Sequence, residues 1–315
     1  VTLTFAFDAI LALALVAVAA WTTAARDMFA AVAGSVAFGL LMALVWVRLA
    51  APDVALTEAA IGSGVTGGLL IAVGARLRRN GASPGAEPPG AILRCTAAVV
   101  CGLVTVGLGA IVLLSPEPAP TLAPLAARHL PQTGLGNPVT AVLMAYRAID
   151  TLLEVVVLLL ALVGVWSLAP DRYWGGRPGM QQHEDPNGVL AFFARLLPPI
   201  GIIVAIHLFW VGSVAPGGEF QSATVVGAMW LLAMIAGLVD LPPIDRRGVR
   251  LALVVGPVVF IVIGLAGTAL AGAFLAYPPG HAKLLILVIE IPVTLSIAAT
   301  LGLLVVGPPQ RMPPG

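Results

Sequence analysis

The chain has 315 residues, of which 59% are hydrophobic and 10% charged, with a formal net charge of +1 and a mean hydropathy of +1.03. A soluble domain carries about 25% charged residues, so the composition excludes an ordinary soluble enzyme. The near-zero charge argues against a nucleic-acid partner, and the long apolar runs favour helices over a β-barrel.

Taken in order, the apolar runs predict an all-α, polytopic integral membrane protein of about nine transmembrane helices. The spans fall near 2–20, 28–48, 53–75, 92–114, 139–168, 190–214, 221–240, 250–274 and 283–306. The first run ends in an Ala17-Val18-Ala19 sequence that resembles a cleavage site. It lacks a basic leader and contains Asp8, so it reads as a retained span. Cys95 and Cys101 lie in one span and read as packed thiols rather than a disulfide.

Basic residues orient the helices. With the N-terminus outside and the C-terminus in the cytoplasm, twelve arginines lie at inner loops and flanks, against Arg48, Arg128 and Lys283 outside. Two Pro/Gly-rich polar linkers, 78–90 and 171–187, divide the helices 3+2+4. The outer stretch 116–133 is long for a turn, and 122–130 fits either a short surface helix or an irregular loop.

The informative residues are ionisable groups inside spans, which are costly in lipid unless paired, hydrated or protonated. Asp8 lies in the first span. Pro52 suits the first turn of the third span, which places Asp53 near the surface and Glu58 about 7–8 Å deeper. Asp53 fits an interfacial helix cap as well as an ion-route residue. Arg147, Asp150 and Glu154 share one helical face of the fifth span, with Arg147 able to neutralise Asp150. His207 lies in the sixth span, where it fits a hydrogen-bonded core residue or a functional one. Glu290 precedes Pro292 in the ninth, where the ring removes the helical partner of the Val288 carbonyl. Glu58, Glu154 and Glu290 fit a proton or cation route. No nucleotide-binding loop, Cys/His metal spacing, or haem, flavin or iron–sulfur pattern occurs. No cofactor is therefore expected.

Ala51-Pro52-Asp53-Val54-Ala55-Leu56-Thr57-Glu58-Ala59-Ala60-Ile61-Gly62 resembles the signature of the three-helix module at the C-terminal end of the large A subunit of Mrp-type Na+/H+ antiporters, a relative of a small membrane-bound hydrogenase subunit. Asn137-Pro138-Val139-Thr140-Ala141-Val142, continuing through Arg147 to Glu154, resembles the two-helix module that follows it. Pro216-Gly217-Gly218-Glu219-Phe220-Gln221 resembles the Pro-Gly-Gly-Gly-Phe-Gln turn of the four-helix B subunit, with Glu219 in place of the third glycine.

The resemblance implies an MbhD-like module over 1–80, an MbhE-like module over 91–168 and an MrpB-like module over 189–311. It also implies a transporter subunit of the cell inner membrane, not an enzyme, with Glu58 and Glu154 in an ion route and Asp53, Arg147, Asp150 and Glu290 at matching positions. Glu219 and Leu153 depart from common glycines. The 315 residues do not include the long antiporter-like helical unit that precedes these modules, so the resemblance implies hydrophobic partner subunits, one of them antiporter-like. The alternative it leaves open is the membrane-arm adaptor of a complex I-like redox complex.

Overall fold

A computed structural model of the chain describes residues 2–79, 90–116, 121–179, 185 and 188–312. Most of linker 78–90, part of linker 171–187 and a piece of the outer loop lie outside the described residues. The helices are α1 (Thr2–Ala24), α2 (Met28–Arg48), α3 (Pro52–Thr57), α4 (Thr66–Arg79), α5 (Ala91–Leu114), α6 (Ala123–Thr133), α7 (Pro138–Ala141), α8 (Ala148–Ser167), α9 (Val189–Val211), α10 (Glu219–Ile235), α11 (Arg247–Ala271) and α12 (Ala282–Val306). Two π-helical segments interrupt the series, Glu58–Val65 between α3 and α4 and Val142–Tyr146 between α7 and α8.

The protein is an all-α, multi-pass membrane protein. Among the described residues eight helices are long and apolar enough to cross a bilayer, and Glu219–Ile235 is a shorter apolar helix. The expected seventh span, 221–240, is thus a helix of 17 residues, because Gly237 with φ +75° ends it. The surface-helix reading of 122–130 holds: α6 covers Ala123–Thr133 and is closed by Gly134 in the left-handed conformation.

Local chemistry sets the helix starts. Asp27 caps α2 by accepting from the Ala30 N–H at 2.8 Å. Asn137 caps α7 by accepting from the Val139 N–H at 2.8 Å, with Pro138 in the first turn. The expected span 53–75 is one helical span, Pro52–Arg78, with the Glu58–Val65 π segment inside it, whereas the expected span 139–168 is broken. The second ends a π segment at Arg147, whose φ −133° and ψ 38° are non-helical, and restarts at Ala148. Such breaks free backbone carbonyls that lipid cannot satisfy. Here the Thr151 hydroxyl donates to the Leu143 carbonyl and the Tyr277 hydroxyl to the Met144 carbonyl, each at 2.8 Å.

Packing centres on α12. It is apolar all round and buries Ile289, Val293 and Ile297 against α8, α10 and α11, through Leu152, Val155, Ala223 and Phe260. A second cluster toward the other end joins Leu162, Trp166, Met234, Leu253 and Leu303. The Ser296 hydroxyl enters the α11 backbone, accepting from the Gly256 N–H at 2.9 Å and donating to the Ala252 carbonyl at 2.8 Å. It thereby replaces one intrahelical bond by a bridge. At the end opposite the Tyr277 loop, β1 (Arg177–Pro178) pairs antiparallel with β2 (Pro309–Arg311). Asp240 there forms ion pairs with Arg177 and with Arg311, the latter at 2.9 Å.

Helix α5 is as apolar as α12, yet none of its residues is buried. Cys95 and Cys101 are free, as the spacing suggests, but both are exposed rather than packed, because α5 carries them outside the helical cluster.

Candidate functional site

The three motif regions meet at one end of the molecule. Asp53, at the start of α3, is 8% exposed. Its Oδ1 accepts from Asn137 Nδ2 at 3.2 Å and from the Gly217 N–H at 3.1 Å. Asn137 Nδ2 also donates to the Ala215 carbonyl at 3.0 Å. Thr140 Oγ1 donates to the Gly212 carbonyl at 2.7 Å. Gly217 and Gly218, at φ +150° and +136°, allow this turn to pack on α9, where a side chain on Gly217 would run into the Leu208 carbonyl. Asp53 is therefore a buried acceptor that joins three chain segments, and not a solvated cap.

The turn delivers Glu219 as the first residue of α10, 5% exposed. Its carboxyl lies within hydrogen-bonding reach of the carboxyl of Glu290, 4% exposed on α12. Glu219 has an ordinary helical backbone, so the position does not need the glycine of the resembling motif. Glu154 of α8 faces Glu219 from the far side of a 290 Å³ cavity, lined also by Asp53, Thr57, Thr140 and Gln221. The Tyr277 phenol stands beside Glu290 while it holds the Met144 carbonyl. A hydrogen bond between two carboxyl groups requires one proton. Two ionised carboxylates about 4 Å apart would repel by about 4 kcal/mol even at an effective dielectric of 20.

Glu58 is near this site but not in it. It opens the first π segment, and its carboxylate lies between Gly39 of α2 and Gly62 of its own turn. A methyl group on Gly39 would come within 3.2 Å of Glu58 Oε1. Ser63 Oγ, buried beside Gly39, makes no hydrogen bond among the described residues. One polar link from Glu58 toward the carboxyl pair runs through its neighbour: Gln221 Nε2 donates to Thr57 Oγ1 at 3.0 Å.

The remaining expected residues stand apart. Arg147 Nε bonds Asp150 Oδ2 at 2.6 Å, as the spacing suggests, but both side chains are exposed. The shared helical face is incomplete, because α8 starts one residue after Arg147. His207 does not sit in a core; it is exposed on α9 and does not line the carboxylate cavity. Asp8 is held by Arg48 through Nε–Oδ1 at 2.8 Å and Nη2–Oδ2 at 3.0 Å. Among the described residues no cluster of His, Cys, Asp and Glu is arranged to hold a metal ion.

Comparison with known proteins finds two families along the chain. Residues 13–79 match the MbhD family, one of the MBH subunits. Residues 189–308 match a domain related to the MnhB subunit of Na+/H+ antiporter. The chain thus carries an MbhD-type module followed by an MnhB-type module. The structure of the Mrp complex from Dietzia sp. DQ12-45-1b aligns with a TM-score of 0.75 and 26% identity, over 96% of this chain and 35% of that one. This chain thus spans about a third of the Mrp-complex chain it matches. A membrane-bound sulfane sulfur reductase, described as an archaeal respiratory membrane complex, aligns with a TM-score of 0.55 and 26% identity, over 68% of this chain and 97% of that one. No curated protein gives a match.

Glu219 is the site residue that sequence reasoning missed. Its signal was a carboxylate at the mouth of an apolar run, directly after a Pro-Gly-Gly turn, in place of the third glycine of the motif it resembles.

Proposed function

We propose that the chain is a membrane subunit of an Mrp-type Na+/H+ antiporter and supplies a proton-handling site to the assembled complex. The observation that carries this reading is the contact between two buried carboxyl groups, Glu219 and Glu290. Two neighbouring buried carboxyl groups can share a proton within the helical cluster. Glu154, across the cavity, is the exchange partner, and the 290 Å³ between them has room for several waters. Glu58, with Ser63, is a second polar station reached through Thr57 and Gln221. Asp53 organises the outer end of the route, and the Arg147–Asp150 pair marks its rim. His207 has no role in the route.

The three-module division, 1–80, 91–168 and 189–311, supports this assignment, since Asp53, Asn137 and Gly217 come one from each module and converge at one point. The charge asymmetry supports an outer N-terminus and a cytoplasmic C-terminus in a cell inner membrane. Other hydrophobic subunits, one of them antiporter-like, would complete the path, with H+ and Na+ as cargo and no cofactor in this chain.

The test is Glu154→Gln, and separately Glu290→Gln, in the assembled complex in proteoliposomes. Loss of Na+-dependent proton flux with the complex intact is the expected result, and unchanged flux in both variants overturns the role. The second reading, a membrane-arm adaptor of a redox complex, is favoured by the 97% coverage of the sulfane sulfur reductase chain. Iron–sulfur subunits co-purifying with this chain would select it.

A further inference from the structure

A separate cavity of 520 Å³, sharing no lining residue with the carboxylate cavity, opens between α10, α11 and α12. Small residues carve it: Gly227 on α10, Ala252 on α11 and Ala299 on α12. It runs along two turns of α12 between Leu295 and Leu303, about 12 Å. Its walls are apolar except at the Leu303 end, where Arg246 lines the mouth beside Gly248. Arg246 is exposed and precedes a helix whose first turn has no side-chain cap. The space above Gly248 is empty of other atoms, so that turn is open to the mouth.

The other charges nearby point elsewhere. Asp240 is engaged by Arg177 and Arg311, Asp245 faces the Gly175 turn, and Arg250 Nε donates to the Ile244 carbonyl. The mouth is therefore cationic, with arginine and uncapped backbone N–H groups facing outward, and the body of the cavity is apolar.

We infer that this cavity binds one anionic phospholipid, its phosphate on Arg246 and the first turn of α11, and one acyl chain along α12. The chemistry is that of an amphipathic ligand: a guanidinium and a helix N-terminus recognise a phosphate, and an apolar groove takes a hydrocarbon chain. Basic residues at the membrane surface favour anionic lipids. The inference is independent of the antiport reading.

The experiment is native mass spectrometry of the full chain released from nanodiscs containing equal phosphatidylglycerol and phosphatidylcholine. Retention of phosphatidylglycerol over phosphatidylcholine by about fivefold is expected, the equivalent of one arginine contact. Arg246→Gln, at an exposed site that does not threaten folding, should bring the ratio to parity. Ala299→Phe, which fills the groove, should remove the retained lipid of both kinds. An unchanged ratio in Arg246→Gln overturns the inference. So does a structure of the assembled complex with a helix of another subunit lying in the groove.

Discussion

Asp53 Oδ1 accepts the Gly217 N–H at 3.1 Å, joining residues 164 apart in the chain. The same oxygen takes Asn137 Nδ2, 84 residues away. Removing the acceptor strands two buried donors, one of them a backbone amide in a turn that Gly217 and Gly218 hold at positive φ. Leaving a buried donor unsatisfied costs about 1–3 kcal/mol, more when the lost partner is charged. Asp53→Ala should therefore destabilise the protein by about 3 kcal/mol, whereas Asp53→Asn, which keeps an acceptor oxygen, should lose about half as much. Thermal unfolding in detergent, followed by intrinsic tryptophan fluorescence, checks both. Equal stability of the two variants would show that the carboxylate is not the joint.

The Glu219–Glu290 pair predicts a non-additive response. Glu219→Gln preserves volume and can still hydrogen-bond Glu290, but it removes one of the two acids that share the proton. Glu290→Gln does the same from the other side. Each should slow Na+-dependent proton flux by more than about tenfold, equivalent to ~1.4 kcal/mol on the limiting barrier. The double variant should be little worse than either single one, because the second substitution removes a partner already disabled. Flux measured with a pH-sensitive dye in proteoliposomes separates this from two independent sites, for which the losses would multiply.

Much of this architecture was legible in the sequence, and the reason is that lipid allows few backbone solutions. Long apolar runs had to be helices, and the polar Pro/Gly linkers had to be loops. The Asp53, Glu154 and Glu290 carboxylates were visible as charges inside those runs. Three things were not legible. The π segments at Glu58 and Val142 keep nearly the same apolar pattern as an α-helix and contain no proline, so nothing local announces them. Part of what sustains the second is remote, a hydroxyl on Tyr277 donated to Met144 from 133 residues away. Burial was equally hidden, since hydropathy does not distinguish a core helix such as α12 from α5, which buries nothing. His207 and the two cysteines were misplaced for that reason. Glu219 escaped because its depth is set by where α10 begins against α12, which is a tertiary fact.

That remote support gives a third prediction. Tyr277→Phe keeps the ring in place but leaves the Met144 carbonyl without its donor. Interhelical hydrogen bonds in membrane proteins contribute about 0.6 kcal/mol on average and at most about 1.7. The variant should therefore fold, with a loss near the upper part of that range, since a carbonyl at a helix break cannot return to an intrahelical partner. Hydrogen exchange should show faster opening of amides over 142–150, with α11 and α12 unchanged. Uniform loosening of all helices would mean that Tyr277 acts through packing instead.

The Ser296 bridge separates a polar effect from a steric one at the same contact. In Ser296→Ala the Gly256 N–H can fall back to the Ala252 carbonyl, the bond an uninterrupted helix would make. Stability should change by less than about 1 kcal/mol. Gly256→Ala has no such recourse. Its new Cβ would lie 2.8 Å from Ser296 Oγ and 2.9 Å from the Val293 Cα, and the second of these is backbone. α11 and α12 would have to move apart along the line that carries Glu290 and Val293. Overpacking of this kind costs about 1–3 kcal/mol. Because Glu290 rides on α12, Gly256→Ala should also weaken proton flux at temperatures where the complex remains assembled, while Ser296→Ala leaves flux intact. Stability and flux measured side by side on the two variants decide it. If Ser296→Ala proves the more harmful of the two, the hydroxyl bridge is the essential element and the close helix approach is not.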